Sequence, residues 1–428
     1  MRIRKSEHLA TGVRSGIVEY VTGGLIVQRA IAHIVKRYAP SVGGMEQVAK
    51  LYAEASKASF RKVFVLCIDD PNERSQRVCV ERQEGVIVLR HPRSFTVFGQ
   101  DVALSMLSTL WRVKRSNHRL TIHGHDPFPF GLILMLLLGW GGKRLVTFHA
   151  HISRHQLFKA LFWLPRRLLL ISADCVTATS PALRARLSQH FRVPSQRISV
   201  LPIWLPNEGR SEIQGAATPI EFGAIERPFA LMLGRICHYK GADVLSDALT
   251  RIRRMGKEHH SIVIAGECTD HAGRVAIESI KRQSLSNVFV INRRLTEYEK
   301  YWLLNRCAYL LFPSTCTEEA FGIVQLEAMR ARKPVLNTML DSGVPWVSLN
   351  EVTGWTIPAN DASSLADHLA TPISKLLRED LGHRGQQRYL DHFSEAQGLK
   401  TINALYSWDS TGSNPIKVIN DLVKGRSA

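Results

Sequence analysis

From Ala30 onward the chain alternates short, uninterrupted apolar runs with longer stretches of helical period, and it does so twice. The first series of β-like runs is Ala30–Val35, Val63–Cys67, Val86–Leu89, Leu120–His123, Leu145–Phe148, Val176–Ala178 and Ile198–Leu201. Between them lie helical patterns at Met45–Ser56, Val102–Val113, Phe130–Leu138 and Leu157–Ile171, the last expected to break near Pro165. Ser180-Pro181 reads as an N-cap followed by proline at the first helical position. Strands that are apolar without alternation and are separated by helices imply a parallel sheet covered on both faces. After Pro206–Pro228, rich in Gly, Pro, Ser and Ala, the alternation restarts with Phe229–Leu233, Ile262–Ala265, Val288–Ile291, Tyr309–Phe312 and Val335–Asn337. The expected fold class is therefore α/β, with two facing Rossmann-like doubly wound domains and a cleft between them. Folds of this kind bind ligands at the C-terminal ends of their strands.

The expected organisation is an unassigned extension over 1–28, an N-terminal domain over 29–206, a linker over 207–228 and a C-terminal domain over 229–400. A helical tail over 401–428 is expected to pack back on the N-terminal domain. The length of 428 residues suits two domains, and 45% apolar with 22% charged residues excludes a disordered chain, a fibre or a multi-span membrane protein. The charge is unevenly placed. Residues 1–200 hold 30 Lys+Arg against 12 Asp+Glu, and the remainder 26 against 25. A basic half beside a neutral one points to an anionic partner, whether nucleic acid, an acidic lipid surface or a phosphorylated substrate, or else to a solvated basic face. The cysteines, 7 in all, are scattered without a Cys-x-x-Cys, which argues against a disulfide scaffold or zinc ribbon and for a reducing, cytoplasmic compartment. Ser6 to Glu19 is too polar for a signal-peptide core, and the longest apolar run, Phe128–Trp140, is too short for a bilayer span.

Three groups of residues could carry chemistry. Glu319-Ala-Phe-Gly-Ile-Val-Gln-Leu-Glu327 follows a strand, with Gly322 opening a helix. Backbone amides around Phe321, Gly322 and Ile323 offer an anion site, and the two carboxylates suit the paired hydroxyls of a sugar and a ribose. Two surface glutamates favoured by the helix dipole are the competing reading. Gly234-Arg235 through Lys240-Gly241 follows the first strand of the second half and supplies two cations for a diphosphate at the same sheet edge. In the first half, Gly43 and Gly44 form a strand-to-helix turn that permits close backbone approach. His123-Gly-His125-Asp126, with His149, His151 and His155, reads as a metal site, as partly exposed loop histidines for His123 and His125, or, for His149, as a polar group on the acceptor side.

These segments together resemble the retaining family 4 glycosyltransferases of the GT-B fold. The resemblance rests on Tyr38-Ala-Pro-Ser-Val-Gly-Gly-Met-Glu46, Val146-Thr-Phe-His149, Gly234-Arg235 with Lys240-Gly241, and Pro313-Ser314 leading to Glu319–Met329. Lys333-Pro334-Val335, Ser342-Gly343-Val344 and Thr353-Gly354 add to it, and it spans roughly Ala30 to Ala370. It implies that Glu319 contacts donor-sugar hydroxyls and Glu327 the ribose. It implies further that Arg235 and Lys240 hold the diphosphate, that Phe321, Gly322, Ile323, Gly43 and Gly44 line the donor, and that His149 lies near the reacting sugar. No metal and no other cofactor is implied. Gly266-Glu267-Cys268 and Asn292 depart from the family's glycine-rich pattern.

The expected activity is transfer of a hexose or deoxyhexose from a nucleotide-diphosphate sugar to a growing glycan, with retention. The glycan is a polysaccharide, an O-antigen or a lipid-linked oligosaccharide. Expected partners are the donor, a glycan or lipid-linked acceptor and an anionic membrane at the inner face, with no nucleic acid. Phe130–Leu138 and Leu157–Leu170, with Lys159, Arg166 and Arg167, are expected to supply the interfacial face. Alternatives are a nucleotide-sugar epimerase or phosphorylase of the same plan, and a basic nucleic-acid-binding protein.

Overall fold

A computed structural model of the chain describes residues 29–41, 43–70, 76–150, 156–207, 222–223, 225 and 228–411, with the side chains of 156–161 and 408–411 excepted. The expected extension over 1–28, most of the linker and the end of the tail lie outside the described residues. The described chain divides into two compact units, one holding residues 29–177, 191–198 and 402–411, the other 178–190 and 199–401.

The first unit runs β1 (Ala30–Ile34), α1 (Gly44–Ser56), β2 (Lys62–Ile68), β3 (Cys79–Gln83), β4 (Val86–His91), β5 (Phe95–Val97), β6 (Gln100–Val102), α2 (Ser105–Arg115), β7 (Leu120–Asp126), α3 (Pro129–Leu138), β8 (Lys143–Phe148), α4 (Gln156–Ser172), β9 (Cys175–Ala178), α5 (Pro181–Phe191) and β10 (Ile198–Val200). Its eight-stranded sheet has the order β10-β9-β8-β7-β1-β2-β4-β3. The order reverses beside β1, as a doubly wound sheet requires. β1 and β7 are buried along their whole length, which is why their sequences do not alternate. Ser180 caps α5, its Oγ accepting from the Leu183 amide at 3.2 Å.

Three local expectations are corrected. β3 is antiparallel to β4, and β5 with β6 forms a separate hairpin. The pattern read as one helix over Val102–Val113 is the end of that hairpin followed by α2. α4 is unbroken although Pro165 lies inside it. A proline removes one helical hydrogen bond and costs about 3 kcal/mol, an amount that packing of an amphipathic face readily offsets; α4 packs along α3.

The second unit runs β11 (Phe229–Leu233), α6 (Ala242–Arg254), β12 (Ser261–Ala265), α7 (His271–Arg282), β13 (Val288–Ile291), α8 (Glu297–Arg306), β14 (Tyr309–Leu311), α9 (Ile323–Arg330), β15 (Val335–Met339), α10 (Val344–Val347), β16 (Gly354–Pro358), α11 (Ala362–Ala370), α12 (Lys375–His392) and α13 (Glu395–Thr411), whose last residues join the first unit. Its six strands are all parallel, in the order β13-β12-β11-β14-β15-β16. α6 shows how sequence makes this layer. Ala242, Leu245, Ala248, Leu249 and Ile252 bury one stripe, while Arg251, Arg253 and Arg254 sit in the last turn, where the dipole favours cations. The strand order reverses between β11 and β14, and both of those strands end at the loops that carry the expected donor residues.

Candidate active site

Gly241 brings the two donor loops together. It caps α6 in the left-handed region, with φ +79°, and a Cβ there would stand 1.9 Å from the Pro313 carbonyl oxygen just beyond β14. Only glycine allows that approach. Lys240 is thereby set against Glu319, and its ammonium donates to the Glu319 carboxylate. Lys240 also lies 5.0 Å from the Phe312 ring centroid. Glu319 is itself largely buried. Arg235, two residues beyond β11, is exposed and makes no hydrogen bond or ion pair among the described residues. Lys240 and Glu319 thus meet, and Arg235 follows β11, the strand paired in parallel with β14, so all three lie at the one sheet edge named in the sequence reading.

Gly322 caps α9, also left-handed at φ +79°, with the Phe312 ring 2.8 Å from where a Cβ would be. Neither α6 nor α9 receives a side-chain cap. By contrast, α7, α8, α11 and α12 of the same unit are capped by Asp270, Thr296, Asp361 and Ser374. An uncapped helix start leaves backbone amides pointing outward, with the positive end of the dipole behind them. Both of the helix starts at the candidate site are open in this way; the four-residue α10, led by Gly343, lacks a side-chain cap as well. The Phe321 ring packs edge-on against Trp346 and Phe393; Ile323 is half-buried at the first helical position.

Glu327 carries a partner that sequence reading missed. Lys300 of α8 donates to it at 2.8 Å and to Glu297 at 2.6 Å. Burial opposes the Lys300 charge, yet Glu327 and Glu297 raise its pKa overall. Nothing in the spacing of the two glutamates points to a lysine nearly thirty residues upstream. His238 is a second omission. Its Nδ1 lies 2.9 Å from Asp270 and its Nε2 2.9 Å from Glu318, the neighbour of Glu319. Asn292, where the family has glycine, accepts from the Cys268 amide at 3.0 Å and fastens the loop after β12.

In the first unit, Gly43 is fully extended at φ 178° and caps α1, with the Glu46 carboxylate folded over it; Gly44 is exposed as the first helical residue. His123 and His125 are strand residues and not loop residues. His33 on β1 pairs in register with His123 on β7, and His123 and His125 alternate onto one face. All three, with His149 after β8, are buried. His123 Nδ1 lies 3.0 Å from the Tyr406 hydroxyl of α13 and Nε2 lies 2.7 Å from Thr147 Oγ1. Burial lowers the pKa of His33 and of His149 to about 3, and those of His123 and His125 well below the ordinary value. Asp126, the carboxylate of the metal-like pattern, instead faces Arg166 at 3.2 Å in a fully buried pair. That corrects the placing of Arg166 on an interfacial face. His151, His155 and the Lys159 side chain lie outside the described residues.

Comparison with known proteins completes the assignment. The family model for Glycosyl transferases group 1 matches residues 221–388, and that for Glycosyltransferase Family 4 matches 42–204. The chain is 28% identical to the O-antigen chain mannosyltransferase C of Escherichia coli, over 79% of this chain and 86% of that protein. It is 24% identical to the D-rhamnosyltransferase WbpZ of Pseudomonas aeruginosa, over 85% and 92% respectively. The crystal structure of Anabaena HepE in complex with UDP-glucose superposes with a TM-score of 0.66 at 17% identity, covering 90% of this chain and all of that one. Two doubly wound α/β units of this kind define the GT-B glycosyltransferases. The chain belongs to the group 1, family 4 glycosyltransferases and is a nucleotide-sugar-dependent transferase.

Proposed function

We propose that this enzyme transfers a hexose or deoxyhexose, with retention and without a metal, from a nucleotide-diphosphate sugar to a growing polysaccharide, O-antigen or lipid-linked glycan. The observation that carries this reading is the pair of uncapped, glycine-led helix starts beside Arg235, Lys240 and Glu319. As the anomeric C–O bond breaks, negative charge grows on the diphosphate. Arg235, Lys240 and the amides at Gly322 and Ile323 meet that charge, and fixed cations and dipoles lower the barrier most where charge develops. Glu319 then accepts from donor-sugar hydroxyls and Glu327 from the ribose. Gly43 and Gly44 bring the N-terminal backbone to the donor, and His149 serves the acceptor side. The O-antigen mannosyltransferase and the rhamnosyltransferase among the relatives support a hexose or deoxyhexose and an envelope glycan as acceptor. A cytoplasmic site of action, at the inner membrane face, fits an acceptor of that kind.

The test is transfer from a panel of nucleotide sugars to a lipid-linked acceptor in excess chelator, with the product's anomeric configuration read by NMR. Retained configuration and chelator-insensitive transfer are expected. An inverted product, or release of free or phosphorylated sugar in place of glycan, would sink the reading.

A further inference from the structure

The buried histidines of the first unit form a hydrogen-bond chain with a definite direction. Ser56 Oγ donates to the Tyr52 carbonyl at 2.7 Å, and a carbonyl can only accept. The serine's one proton is therefore committed, so its contact with His33 Nε2 at 2.9 Å requires the ring to donate. A neutral imidazole has one N–H, so His33 Nδ1 is an acceptor. His125 Nε2 lies 3.1 Å from it and must donate. His125 Nδ1 is then an acceptor in turn, and His149 Nε2, 2.9 Å away, must donate to it. The His125 and His149 rings are parallel within 1°. Tyr52 from α1, His123 from β7 and Tyr406 from α13 enclose the chain. No carboxylate is among these neighbours, which keeps the imidazoles neutral.

We propose that Ser56, His33 and His125 are positioning residues that set the tautomer of His149. They hold its proton on Nε2 and fix the orientation of its ring at the end of β8, in the form that transfer requires. This rests on reading His149 as the sugar-facing residue of the first unit. The ring-nitrogen protons follow from the network and not from observed hydrogens. A cation at His33, His123 and His125, whose ligand atoms lie within 4.8 Å of one another, would need the lone pairs that the chain already uses.

Nitrogen-15 histidine NMR on the full chain reads each ring's tautomer directly. The expected result is His33, His125 and His149 all neutral with the proton on Nε2. His125→Asn keeps an acceptor oxygen where Nδ1 stood and should preserve the His149 tautomer. His125→Leu removes it, should mix the His149 tautomers and should lower kcat about ten-fold, the scale of one hydrogen bond. Ser56→Ala, which deletes one oxygen, makes the same test from the far end should the leucine variant fail to fold. A His149 proton on Nδ1 in the wild-type chain overturns the proposal, as does zinc uptake that shifts these ring nitrogens. The expected tautomer with full transfer by His125→Leu overturns the functional half. Wild-type transfer from the nucleotide sugar is unaffected by any of these results, so they stay distinct from failure of the donor assignment.

Discussion

Lys240 and Glu319 are partners before any ligand arrives, which changes how substitutions there are to be read. Both are partly buried, and removing one partner leaves the other charge poorly solvated. Lys240→Ala is therefore expected to lower the melting temperature as well as the affinity for a nucleoside diphosphate. Arg235→Ala is the cleaner probe, because Arg235 is exposed and unbonded among the described residues. It should weaken nucleoside diphosphate binding by about 1.5–3 kcal/mol, the range for hydrogen bonds to charged groups, and leave the melting curve in place. Calorimetric titration beside a thermal melt checks both; equal affinity for wild type and Arg235→Ala would remove Arg235 from the site. Gly322→Ala adds a Cβ in the left-handed region against the Phe312 ring. It should cost about 1–2 kcal/mol in strain alone and displace the amides at the start of α9. A variant with wild-type stability and unchanged donor affinity would show that those amides do not hold the phosphate. Arg235, Lys240, Glu319 and Glu327 are legible in the sequence because each stands at a fixed offset from a strand end. Lys300 is not, because its pairing with Glu327 depends on how α8 lies against α9.

At the scale of elements, β1, β7 and β8 commit the first unit to carrying four neutral histidines. Unfolded, these rings titrate near pH 6.5; folded, burial holds His33 and His149 to about 3 and the other two well below the ordinary value. The unfolded chain thus binds more protons between those limits, so stability rises with pH across that window. It is complete above about pH 6.5 and declines as pH falls toward 3, by up to about 1.4 kcal/mol per pH unit for each fully shifted ring. His238 has the opposite sign. Hydrogen bonding to Asp270, then to Glu318, raises its pKa. Its contribution is full below about pH 6.5 and is lost as pH rises through the raised value. Because His238 is exposed, its effect is the smaller one. Denaturant unfolding from pH 8 to pH 5 should show stability falling on the acid side, in the wild type and equally in His238→Gln; a flat profile below pH 6.5 would contradict neutral burial of the cluster. The strand runs were legible because burial on both faces removes alternation. The hairpin of β5 and β6 was not, since three-residue strands carry too little pattern, and Pro165 misled because packing against α3 outweighs a single lost hydrogen bond.

For the whole molecule, the basic excess lies in the same part of the sequence as a set of exposed apolar side chains. Phe98 at the hairpin tip, Trp111 on α2, Leu137 and Trp140 at the end of α3, and Leu164 and Leu168 on α4 are all exposed. Arginines sit over two of these rings, Arg115 at 5.3 Å from Trp111 and Arg144 at 5.0 Å from Trp140. Among the described residues no helix is long and apolar enough to cross a membrane. The expected behaviour is reversible docking on anionic vesicles, at about 1 kcal/mol per participating Lys or Arg. Docking should weaken as salt shortens the screening length, which is about 8 Å at physiological ionic strength. Trp111→Ser with Trp140→Ser should reduce pelleting further, and equal pelleting with neutral and anionic vesicles would refute electrostatic docking. The sequence by itself determined the alternation of buried strands and helices, the division of charge and the spacing of the donor motif. Each of these is a property of neighbouring residues, fixed by burial period or by offset from a strand end. Only the tertiary structure decided that Arg166 is buried against Asp126, that Lys300 holds Glu327, and that His33, His125 and His149 form one directed chain. Those pairings join residues from different strands and helices, and the packing of the elements alone sets the distances at which they meet.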